Sequence, residues 1–137
     1  MNRRRITYRT GVPVDNVAMN ALFADAWANH TPTDFQRRLR CSLGYVCAYD
    51  GSELVGFVNV AWDGDLHAFL LDPTVRRDRQ RRGIGRELVR RATALAAKAG
   101  CEWLHVDFDP ELKPFYRKCG FRHTEAGLIN LKQKHRP

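Results

Sequence analysis

The sequence predicts a mixed α/β domain of the α+β kind, in which an antiparallel meander leads into a β–α–β unit. Three observations carry this. Between Tyr45 and Val75 lie three apolar stretches separated by Asp50-Gly51 and Asp63-Gly64-Asp65, the turn signals of consecutive hairpins. From Gly83 to Ala99 the period changes, and Ile84, Leu88, Ala92, Leu95, Ala96 and Ala99 fall on one helical stripe. Trp103 to Phe108 then reads as a strand again. A chain of 137 residues suggests one domain over 1–137, large enough to hold a core without disulfides or metal.

The elements follow in order. Residues 3–9 contain an extended stretch around Ile6 and Tyr8, read as an edge strand, and Thr10-Gly11-Val12-Pro13 punctuates the chain after it. From Val14 to Asn29 a helix is expected, with Val14, Val17, Ala21, Ala24 and Ala28 at helical spacing, flanked by Leu22 and Trp27, and with Asp15 and Asp25 on or near the polar side. Asn29-His30-Thr31-Pro32 breaks it, and Thr33 or Asp34 could cap a short second helix through Leu39. Tyr45–Tyr49 and Glu53–Trp62 read as strands. His67-Ala68-Phe69-Leu70-Leu71 is nearly continuously apolar, as expected for a strand buried on both faces, and it runs on through Asp72-Pro73-Thr74-Val75. On the long helix Glu87 and Arg91 form a favourable i, i+4 pair, and Gly100 stands at the expected stop. Glu111–Lys118 reads as a short helix closed by Gly120, with two last strands from Phe121 onward and over Gly127–Gln133.

Composition bounds the function. With 44% hydrophobic and 28% charged residues the chain reads as an ordinary folded protein, not a disordered one. No apolar run approaches the roughly 18 residues of a membrane span. Arg3, Arg4 and Arg5 precede no apolar segment of the secretory type, so a cytoplasmic protein without a membrane partner is expected. Cys41, Cys47, Cys101 and Cys119 show no CxxC or Cys/His spacing. They are read as reduced thiols, mostly in the core, with no metal site. Lys plus Arg number 23 against 15 Asp plus Glu, a net charge of +8. Such a balance favours nucleic acid, an acidic surface or a phosphorylated cofactor.

The segment that chooses among these is Val75-Arg76-Arg77-Asp78-Arg79-Gln80-Arg81-Arg82-Gly83-Ile84-Gly85-Arg86. A strand ends, a basic loop with glycine follows, and a long helix starts. The start of a helix carries unpaired N–H groups and partial positive charge, and glycine lets a phosphate approach that backbone. The loop lacks the Gly-Lys-Ser/Thr of a Walker A motif and has two of the three glycines of a dinucleotide fingerprint. A solvated basic loop that merely caps a helix remains the alternative at this point.

Gln80-Arg81-Arg82-Gly83-Ile84-Gly85 matches the Gln/Arg-x-x-Gly-x-Gly/Ala signature of the GNAT superfamily of N-acetyltransferases, which this chain resembles. Val75 stands five residues before Gln80, where that family has a hydrophobic residue closing its central strand. Pro114-Phe115-Tyr116-Arg117-Lys118-Cys119-Gly120-Phe121 is similar to the second signature, Phe/Leu-Tyr-x-Lys-x-Gly-Phe. The resemblance spans Glu53 to Phe121 by motif and the rest by element order. It implies a single GNAT-like domain with a mixed, mostly antiparallel central sheet, splayed between its fourth and fifth strands and flanked by about four helices.

The resemblance further implies that acetyl-CoA, or another acyl-CoA, is the cosubstrate, without metal. Gln80 and the backbone amides of Arg81, Arg82, Gly83, Ile84, Gly85 and Arg86 would hold the pyrophosphate. Thr74 and Val75 would pair with the pantetheine amides as an added strand does. Arg76, Arg77, Arg79, Arg81, Arg82 and Arg86 would screen the phosphates. Asp109 stands where many members carry an asparagine that touches the cofactor, and Arg77 where a proline is usual.

Direct transfer to a primary amine in a ternary complex needs a base, because an alkyl ammonium group has a pKa near about 10.4. It also needs an acid for the departing thiolate and a donor for the carbonyl oxygen. Tyr116 occupies the family's thiolate-protonating position, and a backbone N–H of the central strand would serve the carbonyl. The base is open. Many members carry an acid where Phe69 sits. His67 and Phe69 share parity with Val75 if no bulge interrupts the strand, which makes His67 one candidate. Asp107 and Asp109 are others, as bases or to orient the amine. The acceptor would be a small amine, or the amino group of a peptide or amino-sugar antibiotic. The loops between Trp27 and Tyr45 and the C-terminal strands would build its pocket, with His30, Asp34 and Glu125 as candidates. Pairing of two copies through those strands could give a homodimer. Two other readings stand beside this one: a non-catalytic acyl-CoA sensor, and a basic nucleic-acid-binding module, for which no helix–turn–helix or RNA-recognition signature is found.

Overall fold

A computed structural model describes residues 5–133; Arg3 and Arg4 of the basic start lie outside the described residues. The chain forms two compact units, one up to Val106 and one from Asp107 onward. The first holds β1 (Thr7–Thr10), α1 (Asn16–Ala26), α2 (Gln36–Arg40), β2 (Gly44–Asp50), β3 (Glu53–Trp62), β4 (His67–Val75), α3 (Ile84–Lys98) and β5 (Trp103–His105). The second holds α4 (Lys113–Lys118), preceded by a 3-10 turn over Pro110–Leu112. The sheet runs β1-β2-β3-β4-β5 in chain order. Every pair is antiparallel except β4 with β5, which is parallel. The expected mixed sheet and its four helices are thus present.

Two layers of side chains bury the sheet. On one face Phe57 and Cys47 pack with Met19, Leu22 and Phe23 of α1 and with Phe35 and Leu39 at α2. The stripe expected for the first helix is not the one used: Val17 is 79% exposed, and Ala21, Ala24 and Ala28 face solvent. Larger residues at positions i, i+3 and i+4 take the core, because they bury more apolar area per site. Asp15 is exposed, as expected of the polar side, and it also caps the helix. Its carboxylate accepts the Ala18 N–H at 2.8 Å and starts the helix two residues later than the apolar spacing suggested.

On the other face lies α3, with Ile84, Leu88, Val89, Ala92 and Ala96 buried. This helix comes close because Gly56 faces it: a Cβ built there would stand 3.0 Å from Leu88 Cδ1 and 3.2 Å from both Ile84 Cγ2 and Ala48 Cβ. Glu87 pairs with Arg91 at 2.9 Å as expected, and with Arg90 at 2.6 Å. The Arg90 hydrogen bond, followed by that of Arg91, holds its carboxyl down at about 2.

Three expectations are corrected. First, β4 is buried on one face only: Ala68 and Leu70 are buried beneath α3, while Phe69 and Leu71 are 39% and 37% exposed. The cover from α1 and α2 reaches this strand at Thr74, through Trp27, and at Asp72, through Arg38; it leaves the start of the strand open. Second, the two C-terminal strands are not formed. Residues 121–130 carry no regular structure and 131–133 form a turn. Leu128, Ile129 and Leu131 are 81%, 72% and 90% exposed, and an extended segment becomes a strand only by pairing its backbone. Third, of the four cysteines Cys47 alone is buried; burial pushes its thiol up to about 11. No helix among the described residues is long and apolar enough to cross a membrane.

Replacing Gly56 by Val should push α3 off the sheet and destabilise the fold by about 1–3 kcal/mol, the usual range for overpacking a core. Chemical denaturation monitored by circular dichroism will read this as a lower midpoint with an unchanged slope.

Candidate functional site

The turn from β4 into α3 is held in a particular shape. Arg81 has φ 62° and Gly83 φ 82°, with Arg82 between them at negative φ. Left-handed residues alternating in this way turn successive N–H groups to one side and make an anion-binding concavity. Gly83 is the N-cap, and no side chain caps the helix. The first hydrogen bond across the start runs from Glu87 N–H to the Gly83 carbonyl, so the N–H groups of Ile84, Gly85 and Arg86 have no intrahelical partner. A Cβ at position 83 would meet nothing within 4 Å. Open backbone donors, positive helix-end charge and absent bulk fit a phosphate group. The Gln80 side chain does not reach outward: its amide donates to the Val75 carbonyl at 3.1 Å and closes the loop on the strand it left.

The arginines divide into two sets. Arg76 pairs with Glu53 at 2.6 Å, Asp78 at 3.3 Å and Asp25 at 4.0 Å. Arg79 pairs with Asp78 at 2.8 Å, Asp50 at 3.1 Å and Glu53 at 3.9 Å. Asp25 also accepts the Arg77 N–H at 2.9 Å. These two guanidinium groups tie the loop to α1 and to the β2–β3 hairpin. Asp50 Oδ1 is buried with no hydrogen-bond partner, so removing Arg79 would leave a poorly compensated charge. The expectation that all six arginines of the loop screen a ligand is therefore corrected: Arg76 and Arg79 are neutralised internally. Arg77, Arg81, Arg82 and Arg86 form no ion pair among the described residues and are exposed.

Next to this loop the sheet opens. β4 and β5 pair over His67↔Trp103, Ala68↔Leu104 and Phe69↔His105 and no further, while β4 continues to Val75. The Arg76 N–H donates to the Val55 carbonyl on β3 at 2.9 Å. Alternation therefore directs the N–H and carbonyl of Val75 away from β3, to the side where β5 is missing. Thr74 is used differently: it is buried, its Oγ1 accepts from Trp27 Nε1 at 3.1 Å and donates to the Asp72 carbonyl at 2.9 Å.

A bulge also interrupts β4. The register with β3 shifts between Asn59↔Leu71 and Phe57↔Thr74, and Asp72 carries φ 53°. His67, Phe69, Leu71 and Thr74 share the face of Phe57, whereas Val75 shares the face of Gly56 and α3. The parity that joined His67 and Phe69 to Val75 thus fails at the bulge. His67 instead meets His105: Nδ1 lies 2.8 Å from Nε2, and the His105 ring stacks on Phe69 at 4.7 Å and 18°. Of the acceptor-pocket candidates, His30 bonds to Asn20 at 2.8 Å, and Asp34 accepts from Asn16 and from the Gln36 N–H, both at 3.0 Å. Both hold the α1–α2 connection. Glu125 lies in the exposed stretch after Phe121.

In the second unit Tyr116 is buried on α4. Phe108 stacks on its ring at 4.6 Å, with Phe115 at 4.9 Å and Phe121 at 5.8 Å edge-on. The helix stop makes this cage. Gly120 at φ 100° lets the Phe121 N–H return to the Tyr116 carbonyl at 3.1 Å, and the Gly120 N–H to that of Arg117 at 3.0 Å, a Schellman ending. Burial, then the charges of Cys119 and Asp107, pushes the phenol up to about 12. Asp107 is exposed, and Asp109 caps the 3-10 turn with its backbone carbonyl, accepting from the Leu112 N–H at 2.9 Å.

The sequence profile of the acetyltransferase (GNAT) family matches residues 15–121. The chain belongs to this family. A probable glucosamine 6-phosphate N-acetyltransferase 2 of Oryza sativa subsp. japonica is 45% identical over 47 residues, which span 34% of this chain and 27% of the rice protein. A GNAT family acetyltransferase of Streptococcus pneumoniae TIGR4 superposes with a TM-score of 0.78 at 24% identity, covering 93% of this chain and all of the other. AAC(6')-Iy, solved with a bisubstrate analogue, CoA-S-monomethyl-acetylneamine, superposes at 0.75 with 18% identity, covering 95% and 99%. In this GNAT chain both signatures now have physical content: the first is an uncapped helix start closed by Gln80, the second a helix stop that cages a tyrosine. His105 was not among the residues singled out from sequence. Its partner is 38 residues away, and a lone histidine in a three-residue strand carries no local signal.

Because the fold favours the neutral phenol of Tyr116, its contribution to stability is complete below the ordinary value near 10 and is lost as pH rises towards about 12. An ultraviolet titration of the four tyrosines should show one that ionises last, near pH 12, and Tyr116→Phe should remove that last step.

Proposed function

We propose that this protein is an acetyl-CoA-dependent N-acetyltransferase that moves an acetyl group from the thioester to a primary amine by direct attack in a ternary complex. The observation that carries the reading is the uncapped, left-handed turn into α3 beside a strand that has lost its neighbour. Backbone N–H groups from Arg81 to Arg86 would take the pyrophosphate. Arg77, Arg81, Arg82 and Arg86 would supply the charge around it. The outward N–H of Val75 would donate to a pantetheine carbonyl, while the Val75 carbonyl stays bonded to the Gln80 amide. Membership of the family and the coenzyme A group in one structural neighbour support the choice of cosubstrate.

Tyr116 would hydrogen-bond the sulfur as the thiolate leaves. Its raised pKa keeps the phenol protonated at every working pH, so it serves as a donor that is always charged with its proton. The acceptor is a small amine or a peptide amino group, and the rice relative makes an amino sugar phosphate one amine to try. A panel of glucosamine 6-phosphate, 2-phenylethylamine, spermidine and a peptide with a free N-terminus, scored by release of free coenzyme A, tests the reaction.

Saturating acetyl-CoA should raise the melting temperature by several degrees; binding at 100 times Kd stabilises a fold by about 2.7 kcal/mol. Gly83→Val should abolish that shift in a protein that still folds, since it crowds the open donors and forces a branched residue to positive φ. An unchanged shift would place the phosphates elsewhere. Tyr116→Phe should lower kcat by about 10²-fold or more while the acetyl-CoA shift persists. Single-turnover kinetics with the best amine of the panel will separate this from slower product release.

A further inference from the structure

The fork between β4 and β5 holds a second functional group that neither signature contains. Phe69↔His105 is the last rung before the strands part. There the His105 ring is fixed on two sides, by the stack on Phe69 and by the 2.8 Å bond from its Nε2 to His67 Nδ1. His105 is exposed and His67 half-buried, and His105 Nδ1 has no partner among the described residues. Two imidazoles in this arrangement hold one proton between them. When His105 Nε2–H donates to His67 Nδ1, the His105 Nδ1 lone pair is free to accept.

We propose that His105 takes the proton from the acceptor amine and that His67 acts behind it as the relay; this rests on the transferase reading above. The ammonium N–H bond breaks and a bond to His105 Nδ1 forms. The Nε2 proton passes to His67 Nδ1, and His67 returns a proton to solvent from its exposed side. The freed nitrogen pair attacks the thioester carbon, and as the carbon–sulfur bond breaks the nitrogen gives up its second proton by the same route through His105 and His67 to solvent, leaving the neutral amide. The thiolate leaves and takes one proton back from solvent. Facing the pair are Asp63, whose Oδ1 accepts the His67 N–H at 3.1 Å, and farther along the same face the Arg38–Asp72 ion pair at 3.2 Å. Among the described residues no carboxylate bonds to either imidazole ring. The bond between the rings is what orients His105, so His67 is a positioning residue.

The test compares wild type, His105→Gln, His105→Ala and His67→Asn with two nucleophiles: the best alkyl amine of the panel, and hydroxylamine, which is already neutral at pH 7. His105→Gln should lose about 10²-fold or more in kcat with the alkyl amine, change only a few-fold with hydroxylamine, and keep the acetyl-CoA melting shift. Added imidazole should restore turnover to His105→Ala, and His67→Asn should move the acidic limb of the pH profile of kcat/KM. Equal losses with both nucleophiles, an unaltered His105→Gln rate, or an unmoved limb in His67→Asn would overturn the dyad while leaving the transferase reading intact. Wild-type protein that turns over neither hydroxylamine nor any amine of the panel would overturn both.

Discussion

The close approach of α3 to the sheet is the constraint on which the rest depends. A helix start binds an anion only if its donors stay unpaired and face outward, and that requires the helix to be anchored by something other than a cap. Here the anchoring comes from below, through Leu88 and Ile84 against the bare backbone of Gly56, and from behind, through the two arginines that tie the loop to Asp25, Asp50 and Glu53. With both in place Gly83 needs no side chain to start the helix. The same register puts the end of β4 directly before the loop, so the outward amide of Val75 and the open helix start belong to one continuous run of backbone.

This arrangement also resolves the excess positive charge. A surface built to hold nucleic acid spreads arginine over a face and leaves it free for phosphates. In this chain the loop consumes two arginines in ion pairs that involve four carboxylates. Arg90 and Arg91 are engaged by Glu87. Arg77, Arg81, Arg82 and Arg86, which form no ion pair among the described residues, sit around the uncapped turn. The charge of this loop therefore suits a compact polyanion held by backbone contacts.

The fold was legible in the sequence wherever local pattern and tertiary packing agree. β3 matches its expected range, and α3 begins and ends within one residue of its stripe. Pattern failed where a distant partner decides. The six arginines read alike in sequence, and Asp50 and Glu53, more than twenty residues upstream, separate them. The C-terminal segment with Leu128, Ile129 and Leu131 reads as a strand, but no strand pairs with it among the described residues. The bulge in β4 did leave a trace. Asp72-Pro73 lies inside an otherwise apolar strand, and proline within a strand marks an edge or a bulge. Here it marks both, since the neighbouring strand stops three rungs in. Reading that dipeptide as a break in parity would have separated His67 from Val75 and turned attention to whatever β5 places beside Phe69.

The two groups proposed to handle protons are built in opposite ways, and the proposed chemistry asks for that asymmetry. A group that must give up each proton it takes needs water within reach and a partner that can share the charge; His105 is exposed, and one hydrogen bond joins it to the half-buried His67. A group that must present a hydrogen bond to an anion and never become an anion itself is better buried. Tyr116 is enclosed by three aromatic rings and keeps its proton to about pH 12. If the environments were exchanged, a buried histidine pair would resist the charge it must carry, and an exposed phenol would ionise in the alkaline range where the amine becomes reactive. The placement of the imidazoles on an open sheet face and of the phenol in an apolar cage therefore suits the proposed reaction, in which an amine would lose its proton at one group while the other stays a donor.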